Sequence, residues 1–431
     1  MENQEYVVIN HDKIYVKKSK TLYLDARQLK SLDEVKGLKS LNNLETLSLC
    51  RNQLKTLPGW ISKKGSLKNL FLTDNLIHEL PDSFGELTNL EELWLDDNQL
   101  HVIPRCIAHL PSLNSLNLSG NAGLRNFGPL ENLMSLRILG LASCDLNYIP
   151  AALGNLNNLE LLNIGNNKLT EVPKLFDKLQ TLKNLYIGAN NFKALPEPIT
   201  SLPLLKVLNV TFSHMIKLPN SIGNLKTLEK LYLFRNNLVN IPNSIGLLTS
   251  LKQLWLGGNQ LASFPDSLCY LESLEYLKMS GNHLITLPES ISNLRNLKKL
   301  ELRSNQLKTL PETIIDLASL ESLDLGFNPL TINQDFKLKS IIKRLKENGV
   351  DVIGGEEQID MEELTSRSSL TKKNVIDILT TEWQNITTLV FKLRIKEMRE
   401  ARNLQKILQE LVKKGEIEEK TIECKKNWRL K

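Results

Sequence analysis

Several common sequence features are missing from this chain of 431 residues, and each absence excludes a class of protein. The first residues, MENQEYVVINHDK, lack the basic start and apolar run of a signal peptide, and no stretch approaches the roughly 18 apolar residues of a membrane span. The five cysteines are widely separated and include no CxxC pair. Such spacing is typical of a reducing compartment rather than a disulfide framework. We therefore expect a cytoplasmic protein without a membrane contact.

Motifs that mark catalytic or cofactor sites are missing as well. The sequence contains no P-loop of the form GxxxxGKS or GxxxxGKT, no GxGxxG, no HExxH and no GxSxG. Its six histidines are spread along the chain. We therefore expect no enzymatic activity, no cofactor and no bound metal.

What the sequence does contain is a repeat of 23 residues. Leucines recur at this spacing from Leu44 to Leu320 and define thirteen units in phase, as in LEELWLDDNQL and LKQLWLGGNQL. A fixed period of this length is typical of a solenoid, in which stacked units share one continuous core. Counting each unit from its first leucine, positions 1, 4, 6, 11 and 14 are predicted to point inward.

Position 9 is Asn in eleven of the thirteen repeats. An Asn amide both donates and accepts, so it can satisfy buried backbone groups where the chain turns. Cys144 and Ser213 replace it in two repeats, and we expect both to be structural. Pro follows position 14 in eleven repeats and is expected to fix the backbone on the convex side. The fourth repeat displaces this residue to Pro129, which predicts a local bulge.

The pattern LxxLxLxxNxLxxLPxxIxxLxx resembles the Ras-suppressor class of intracellular leucine-rich repeat proteins, and the resemblance covers about residues 20–332. That class includes Ras-binding scaffolds, plant intracellular Ras-group proteins and the repeat regions of plant disease-resistance proteins. The resemblance implies an α/β fold, a curved leucine-rich repeat solenoid with a parallel inner sheet. It also implies a concave surface for a protein partner, in some members a small GTPase or its regulator.

The chain is predicted to have five segments. The C-terminal cap of the repeats is expected to contain a helix that buries Phe336, Leu338, Ile341, Ile342 and Leu345 and ends at Gly349. The segments are an N-terminal cap and partial repeat at 1–43, the thirteen repeats at 44–332, a C-terminal cap at 333–353, a linker at 354–368, and a winged-helix-like α+β domain at 369–431.

Positions 3, 5, 7 and 8 are predicted to face the concavity, because neighbouring side chains of a strand point to opposite faces. Trp255 lies between two inward leucines and is therefore expected to face solvent. Exposed aromatic residues and arginines are enriched at binding hot spots. The predicted protein-binding residues are Phe71, Trp94, Asp96, Asp97, Tyr186, Phe212, Lys230, Tyr232, Phe234, Arg235, Trp255, Tyr276, Lys278 and Arg303.

Two charged groups stand out among these positions. We call the first the acidic patch, which surrounds Trp94 and consists of Asp74, Glu92, Asp96 and Asp97. We call the second the basic-aromatic patch, which consists of Phe212, Lys230, Tyr232, Phe234, Arg235, Trp255, Tyr276, Lys278, Lys299 and Arg303. Opposite charges at two places on one surface predict that a partner binds in a fixed orientation.

The tail differs from the repeats in charge and pattern. Residues 365–431 contain 16 Lys and Arg against 9 Asp and Glu, and they predict three helices followed by a hairpin that turns near Lys425–Asn427. This order resembles a winged helix, which implies a recognition helix and a wing. The implied nucleic-acid-binding residues are Arg402, Gln405, Lys406, Gln409, Lys413, Lys425 and Lys426. The alternative is a basic surface on a protein-interaction domain.

Two functions are compatible with these patterns. The first is a scaffold that binds a protein on its concave face, in intracellular signalling related to small GTPases. The second is a DNA-associated regulator, in which the tail binds nucleic acid and the solenoid is the sensor.

Overall fold

The structure is a computed structural model that describes residues 5–330, 335–354, 384–385, 417–422 and 425–430. The chain divides into two compact units, Met1–Glu356 and Glu357–Lys431. The first unit contains the repeats.

An antiparallel hairpin of β1 (Tyr6–Ile9) and β2 (Asp12–Tyr15) covers the start of the repeats. Val7 and Ile9 of β1 are buried and belong to the core. The strand β3 (Thr21–Tyr23) follows and pairs in parallel with the first complete repeat. The incomplete repeat thus closes the N-terminal end of the core.

Fifteen parallel strands form one sheet, in which each repeat adds one strand beside its predecessor. Positions 3, 4 and 5 of one repeat pair with the same positions of the next, for example Tyr232 with Trp255. The thirteen repeat strands are β4 (Thr46–Ser48), β5 (Asn69–Phe71), β6 (Glu92–Trp94), β7 (Ser115–Asn117), β8 (Ile138–Gly140), β9 (Leu161–Asn163), β10 (Asn184–Tyr186), β11 (Val207–Asn209), β12 (Lys230–Tyr232), β13 (Gln253–Trp255), β14 (Tyr276–Lys278), β15 (Lys299–Glu301) and β16 (Ser322–Asp324).

Short 3₁₀ helices return the chain on the other side of the core. Eleven of them begin directly after a proline, whose fixed φ suits the extended residue before a helix. The 3₁₀ helices are Leu32–Glu34, Leu38–Ser40, Gly59–Lys63, Asp82–Glu86, Arg105–His109, Gly128–Asn132, Ala151–Asn155, Lys174–Lys178, Glu197–Ser201, Asn220–Asn224, Asn243–Leu247, Asp266–Tyr270, Glu289–Asn293 and Glu312–Asp316.

The irregular fourth repeat keeps its length and changes its turn. Gly123 and Asn126 have positive φ, and Phe127 rather than a proline precedes the 3₁₀ helix Gly128–Asn132. Leu124 and Phe127 are buried one position later than their counterparts in other repeats. The core therefore stays filled although the sequence pattern shifts.

The core runs without interruption from Val7 to Val350. The apolar residues at positions 1, 4 and 6 are buried in every repeat, as predicted. The predicted solenoid with a parallel inner sheet is confirmed for this unit.

The helix α1 (Phe336–Glu347) and the strand β17 (Asp351–Ile353) close the C-terminal end. Asp335 caps the helix by accepting from two backbone N–H groups, and Gly349 follows it with a φ of +85°. Leu338, Ile341, Ile342 and Leu345 are buried as predicted. The prediction for Phe336 was wrong, because its side chain is 91% exposed. It precedes Leu338 by two residues, which is about 200° around a helix and therefore the opposite face.

In the second unit the structure describes three antiparallel strands, β18 (Gln384–Asn385), β19 (Ile417–Ile422) and β20 (Lys425–Leu430). The predicted hairpin is present, but the turn predicted near Lys425–Asn427 was wrong. Ile422 pairs with Lys425, so Lys425 and Lys426 begin the second strand. This register aligns the apolar ends Ile417 and Leu430, which a later turn would not.

The three predicted helices of the tail lie outside the described residues, and so do Arg402, Gln405, Lys406, Gln409 and Lys413. In the part of the chain that the structure does describe, we find no helix with the length and hydropathy needed to cross a membrane.

Candidate protein-binding face

The sheet presents one face to the core and one to solvent, and we call the second the binding face. It is formed by side chains at positions 3, 5, 7 and 8. Position 8 has a φ between +51° and +75° in all thirteen repeats, as at Asp97 and Arg235. This left-handed residue lies three positions after each strand and turns the next residue, at position 9, into the core.

Asn at position 9 then holds the turn through buried hydrogen bonds. Asn259 Nδ2 donates to the carbonyl oxygens of Leu233 and Leu256 at 3.0 and 2.8 Å. Its Oδ1 accepts from the Leu238 N–H at 3.0 Å. Each Asn therefore joins its own repeat to the preceding one, which fixes the spacing of the binding face.

The two substitutions in this column are structural, as predicted. Cys144 Sγ donates to the carbonyl oxygens of Leu118 and Ala142 at 3.3 and 3.4 Å. Burial raises the pKa of the Cys144 thiol to about 11, so it stays protonated at neutral pH. Ser213 is fully buried and donates to the Thr211 carbonyl.

The acidic patch lies toward the N-terminal end of the binding face. Trp94 is 41% exposed and packs on Phe71, with ring centroids 4.8 Å apart. Burial raises the pKa of Asp96, a hydrogen bond from Thr73 opposes this, and the charges of Asp97 and Asp74 add to the rise. Within the described residues, no cation forms an ion pair with the patch.

Trp255 lies at the centre of the basic-aromatic patch. Its ring centroid is 4.5 Å from that of Tyr232, and Lys278 Nζ lies 4.7 Å from it on the next strand. These neighbours leave Trp255 only half-exposed, and its Nε1 is buried with no hydrogen-bond partner in the described structure. The Tyr232 hydroxyl donates to Gln253 at 3.0 Å, and burial raises the pKa of Tyr232.

Three cations of this patch are partly neutralised by carboxylates that the sequence reading left aside. Lys278 and Lys299 lie 3.1 and 3.2 Å from the same oxygen of Glu301. Arg303 lies 3.9 Å from Asp324, whose pKa is raised by burial. The uncompensated positive charge of the patch therefore lies on its other cations, Lys230 and Arg235.

Arg235 carries much of that charge. Its guanidinium lies 5.4 Å from the Phe212 ring centroid and 5.5 Å from that of Phe234, and these rings meet edge to face. Neither Arg235 nor Lys230 forms an ion pair in the described part of the chain. A cation held by two aromatic rings and lacking a carboxylate is suited to bind an anionic group.

The predicted binding residues thus form two groups with a gap between them. Phe71, Trp94, Asp96 and Asp97 lie together, and nine others form the basic-aromatic patch, including half-buried Tyr276 on β14. Tyr186 lies between the groups, two strands before Tyr232.

Two features of this side of the sheet were missed from the sequence. Tyr23 pairs with Ser48, which is position 5, so it extends the binding face by one strand, and Lys17 lies 4.4 Å from its ring. Position 2 carries a row of charged side chains along the edge of the face, which we call the charge ladder. Its ion-paired triads are Lys20–Glu45–Lys68, Arg137–Glu160–Lys183 and Lys206–Glu229–Lys252.

No group of three or more His, Cys, Asp or Glu side chains that could hold a metal ion occurs among the described residues.

Comparisons with known proteins agree with this architecture. Family models described as leucine-rich repeats match residues 43–63, 65–122, 226–284 and 287–330. A leucine-rich repeat protein of Leptospira interrogans is 31% identical, with a TM-score of 0.64 over 78% of this chain and 95% of that chain. No match was found among curated protein sequences.

Two similar structures are complexes with different classes of ligand. TLR13 in complex with ssRNA13 is 28% identical, with a TM-score of 0.63 over 75% of this chain and 48% of that chain. The plant peptide hormone receptor RGFR1 in complex with RGF2 is 25% identical, with a TM-score of 0.50 over 76% and 64% of the two chains. The fold alone therefore does not determine the ligand.

Proposed function

The chain belongs to the leucine-rich repeat proteins, and from that premise we propose that it is a non-enzymatic scaffold whose basic-aromatic patch binds a protein partner. Leucine-rich repeat solenoids commonly serve as protein-interaction scaffolds and are generally not enzymes. The chemistry of the partner must then be inferred from this chain's own side chains.

The contiguity of the basic-aromatic patch is the observation that carries the proposal. Tyr232 contacts Trp255, Trp255 contacts Lys278, and Phe212 and Phe234 hold Arg235. Single exposed aromatic residues are common on protein surfaces, but a continuous patch on several strands is not. Burial of large side chains that are already packed together costs little ordering entropy.

The finer assignment rests on the sequence pattern. We place the chain in the Ras-suppressor class and propose a small GTPase or its regulator as the partner, in cytoplasmic signalling. The repeat consensus supports the class, and the free thiols of Cys50, Cys106, Cys144 and Cys269 support a reducing compartment. The winged-helix-like domain at 369–431 stays a prediction.

Affinity capture from nuclease-treated native lysate tests the proposal. The bait is the full chain, compared with the double variant Tyr232→Ala/Trp255→Ala. A matched control is Tyr148→Ala/Tyr270→Ala, which removes two exposed tyrosines, 56% and 64% exposed, away from the binding face. We expect the wild type and the control to retain a partner that the double variant loses.

Each bait must first give the same circular dichroism spectrum and unfold cooperatively. If the folded double variant recovers the same proteins as the wild type, the basic-aromatic patch does not bind them and the proposal is wrong.

A further inference from the structure

A row of asparagines occupies position 5 in the middle of the binding face, between the two patches. Asn117, Asn163 and Asn209 are the last residues of β7, β9 and β11. All three are half-exposed. They therefore stand on alternate strands and on one line across the sheet.

Each of these side chains is held in the same orientation. The Oδ1 atoms of Asn117, Asn163 and Asn209 accept from the backbone N–H two residues later, at 3.2, 3.1 and 3.0 Å. No partner for their Nδ2 atoms occurs among the described residues. Each asparagine thus offers its amide N–H groups to a ligand, while its oxygen is already engaged.

Gly140 on β8, between Asn117 and Asn163, is adapted to this arrangement, while Tyr186 lies between Asn163 and Asn209. A Cβ atom at Gly140 would lie 2.2 Å from Asn117 Oδ1. The Asn117 carboxamide therefore lies across the glycine, where any larger residue would displace it.

The spacing of the row fits an extended peptide. Strands lie about 4.8 Å apart, so the asparagines are about 9.6 Å apart along the sheet. Three residues of an extended chain span about 9–10 Å. A peptide that crosses the strands would therefore bring every third backbone carbonyl to an asparagine amide.

Charges at the two ends of the row add a second constraint. Arg235, on the repeat after that of Asn209, has no carboxylate partner in the described structure, whereas Lys278 and Arg303 have theirs. At the other end, Asp97 belongs to the uncompensated acidic patch. Asp97 and Arg235 both occupy position 8, six strands apart, which is about 29 Å or about nine extended residues.

We propose that the binding face takes an extended peptide segment of the partner, with an Asp or Glu side chain on Arg235 and a Lys or Arg on the acidic patch about nine residues away. The Asn117, Asn163 and Asn209 amides bind backbone carbonyls between them. This inference rests on the proposed function and specifies the partner's chemistry.

Selection from a library of random 16-residue peptides displayed on phage, with the full chain as bait, tests the inference without assuming a sequence. We expect enriched peptides to carry an acidic and a basic residue about nine positions apart. Enrichment with no such spacing, or no enrichment, would overturn the inference.

Variants then connect selected peptides to named atoms. We expect Asn163→Ala to weaken binding of a synthesised selected peptide about fivefold, as is typical of one hydrogen bond, and Arg235→Ala to weaken it at least tenfold and to remove the preference for the acidic residue. Asn191→Ala, an exposed asparagine at position 10, is the matched control and should leave affinity unchanged. Equal affinity of all variants would contradict the inference.

The two proposals fail separately. One combined result is a captured partner whose binding depends on Tyr232 and Trp255, with a selection that yields no peptides with the expected charge spacing. That combination would leave the scaffold function in place and eliminate the extended segment.

Discussion

Position 8 is the residue on which the shape of the binding face depends. All thirteen of these residues are left-handed, and only Gly120, Gly258 and Gly281 are glycine. An L residue in this conformation costs about 1–2 kcal/mol, because its Cβ crowds the following carbonyl oxygen. A side chain at this position, such as that of Arg235, is therefore present at an energetic cost that glycine would avoid.

A position 8 residue with a minimal side chain should be improved by glycine. Ala189 has a φ of +53°. We expect Ala189→Gly to raise the free energy of unfolding by about 0.5–1 kcal/mol, because relief of the left-handed strain exceeds the loss of chain entropy. Urea unfolding of the full chain measures the change.

Ala142→Gly is the control, since Ala142 at position 7 is not among the residues with positive φ. We expect it to lower stability by about 0.5–1 kcal/mol. Two variants that shift the unfolding midpoint in the same direction would show that backbone strain at position 8 is unimportant.

Sequence reasoning predicted the face on which Trp255 lies and the side chains around it, but not how far these neighbours cover it. Alternation along a strand determines which side a residue takes, and this follows from Leu254 and Leu256 alone. The half-burial by Tyr232 and Lys278 depends on the register between repeats. The ion pairs with Glu301 were missed because the basic-aromatic patch was defined by its cations and aromatic residues alone.

The repeating element carries a further pattern at position 2, where most glutamates lie between lysines or an arginine on neighbouring repeats. Hydrogen bonds from Lys20, Lys183 and Lys252 are the main causes that lower the pKa values of Glu45, Glu160 and Glu229, respectively. Parallel strands in register bring these charges together, because position 2 of each repeat lies beside position 2 of the next. The charge ladder thus favours one register of stacking.

The ladder should weaken in acid. A carboxylate whose pKa is lower in the folded chain stabilises it fully above the unfolded value, here 4.5, and this stabilisation is lost as the pH falls through the folded pKa. We expect the triple variant Glu45→Gln/Glu160→Gln/Glu229→Gln to lose less in melting temperature between pH 6 and about pH 3 than the wild type.

Three glutamates outside the ladder provide the comparison. The variant Glu79→Gln/Glu131→Gln/Glu171→Gln changes three exposed glutamates that form no ion pair in the described structure. This variant should follow the acid response of the wild type. An identical response of both triple variants would mean that the ladder contributes nothing to acid sensitivity.

The caps show where element-level prediction succeeds and where it fails. Period and apolar pattern predicted the buried face of α1, yet Phe336 was assigned to it on hydrophobicity alone. Hairpin strands were predicted from alternation, but alternation does not specify the register, in which Ile422 pairs with Lys425. In both cases the missing information was geometric rather than compositional.

At the scale of the molecule, the repeats build the binding face as a preformed surface. The core is continuous from Val7 to Val350, and each repeat is joined to its neighbour by strand pairing and by buried asparagines. A surface of this kind requires little ordering on binding. Its fold could be predicted from the 23-residue period, whereas the asparagine row required the hydrogen bonds of the structure.

Charge is divided unequally along the chain, and this division predicts where affinity for nucleic acid resides. The whole chain has a net charge of +6, and residues 365–431 alone have an excess of seven positive charges, from 16 Lys and Arg against 9 Asp and Glu. We expect the full chain to bind a duplex oligonucleotide more tightly than the unit Met1–Glu356, by electrostatic contact with phosphates. Fluorescence anisotropy at several salt concentrations measures both.

Sequence preference distinguishes the scaffold from the DNA-associated regulator, because the salt dependence reports phosphate contacts that both would make. A weak affinity that is independent of sequence and is lost in Lys406→Glu/Lys413→Glu fits a basic surface on a scaffold. A preference for one DNA sequence that persists as salt weakens the binding fits the regulator, because base contacts rather than phosphate contacts provide specificity. Equal binding by the full chain and by Met1–Glu356 would contradict this expectation and the regulator, since the charge that binds DNA would then lie on the repeats.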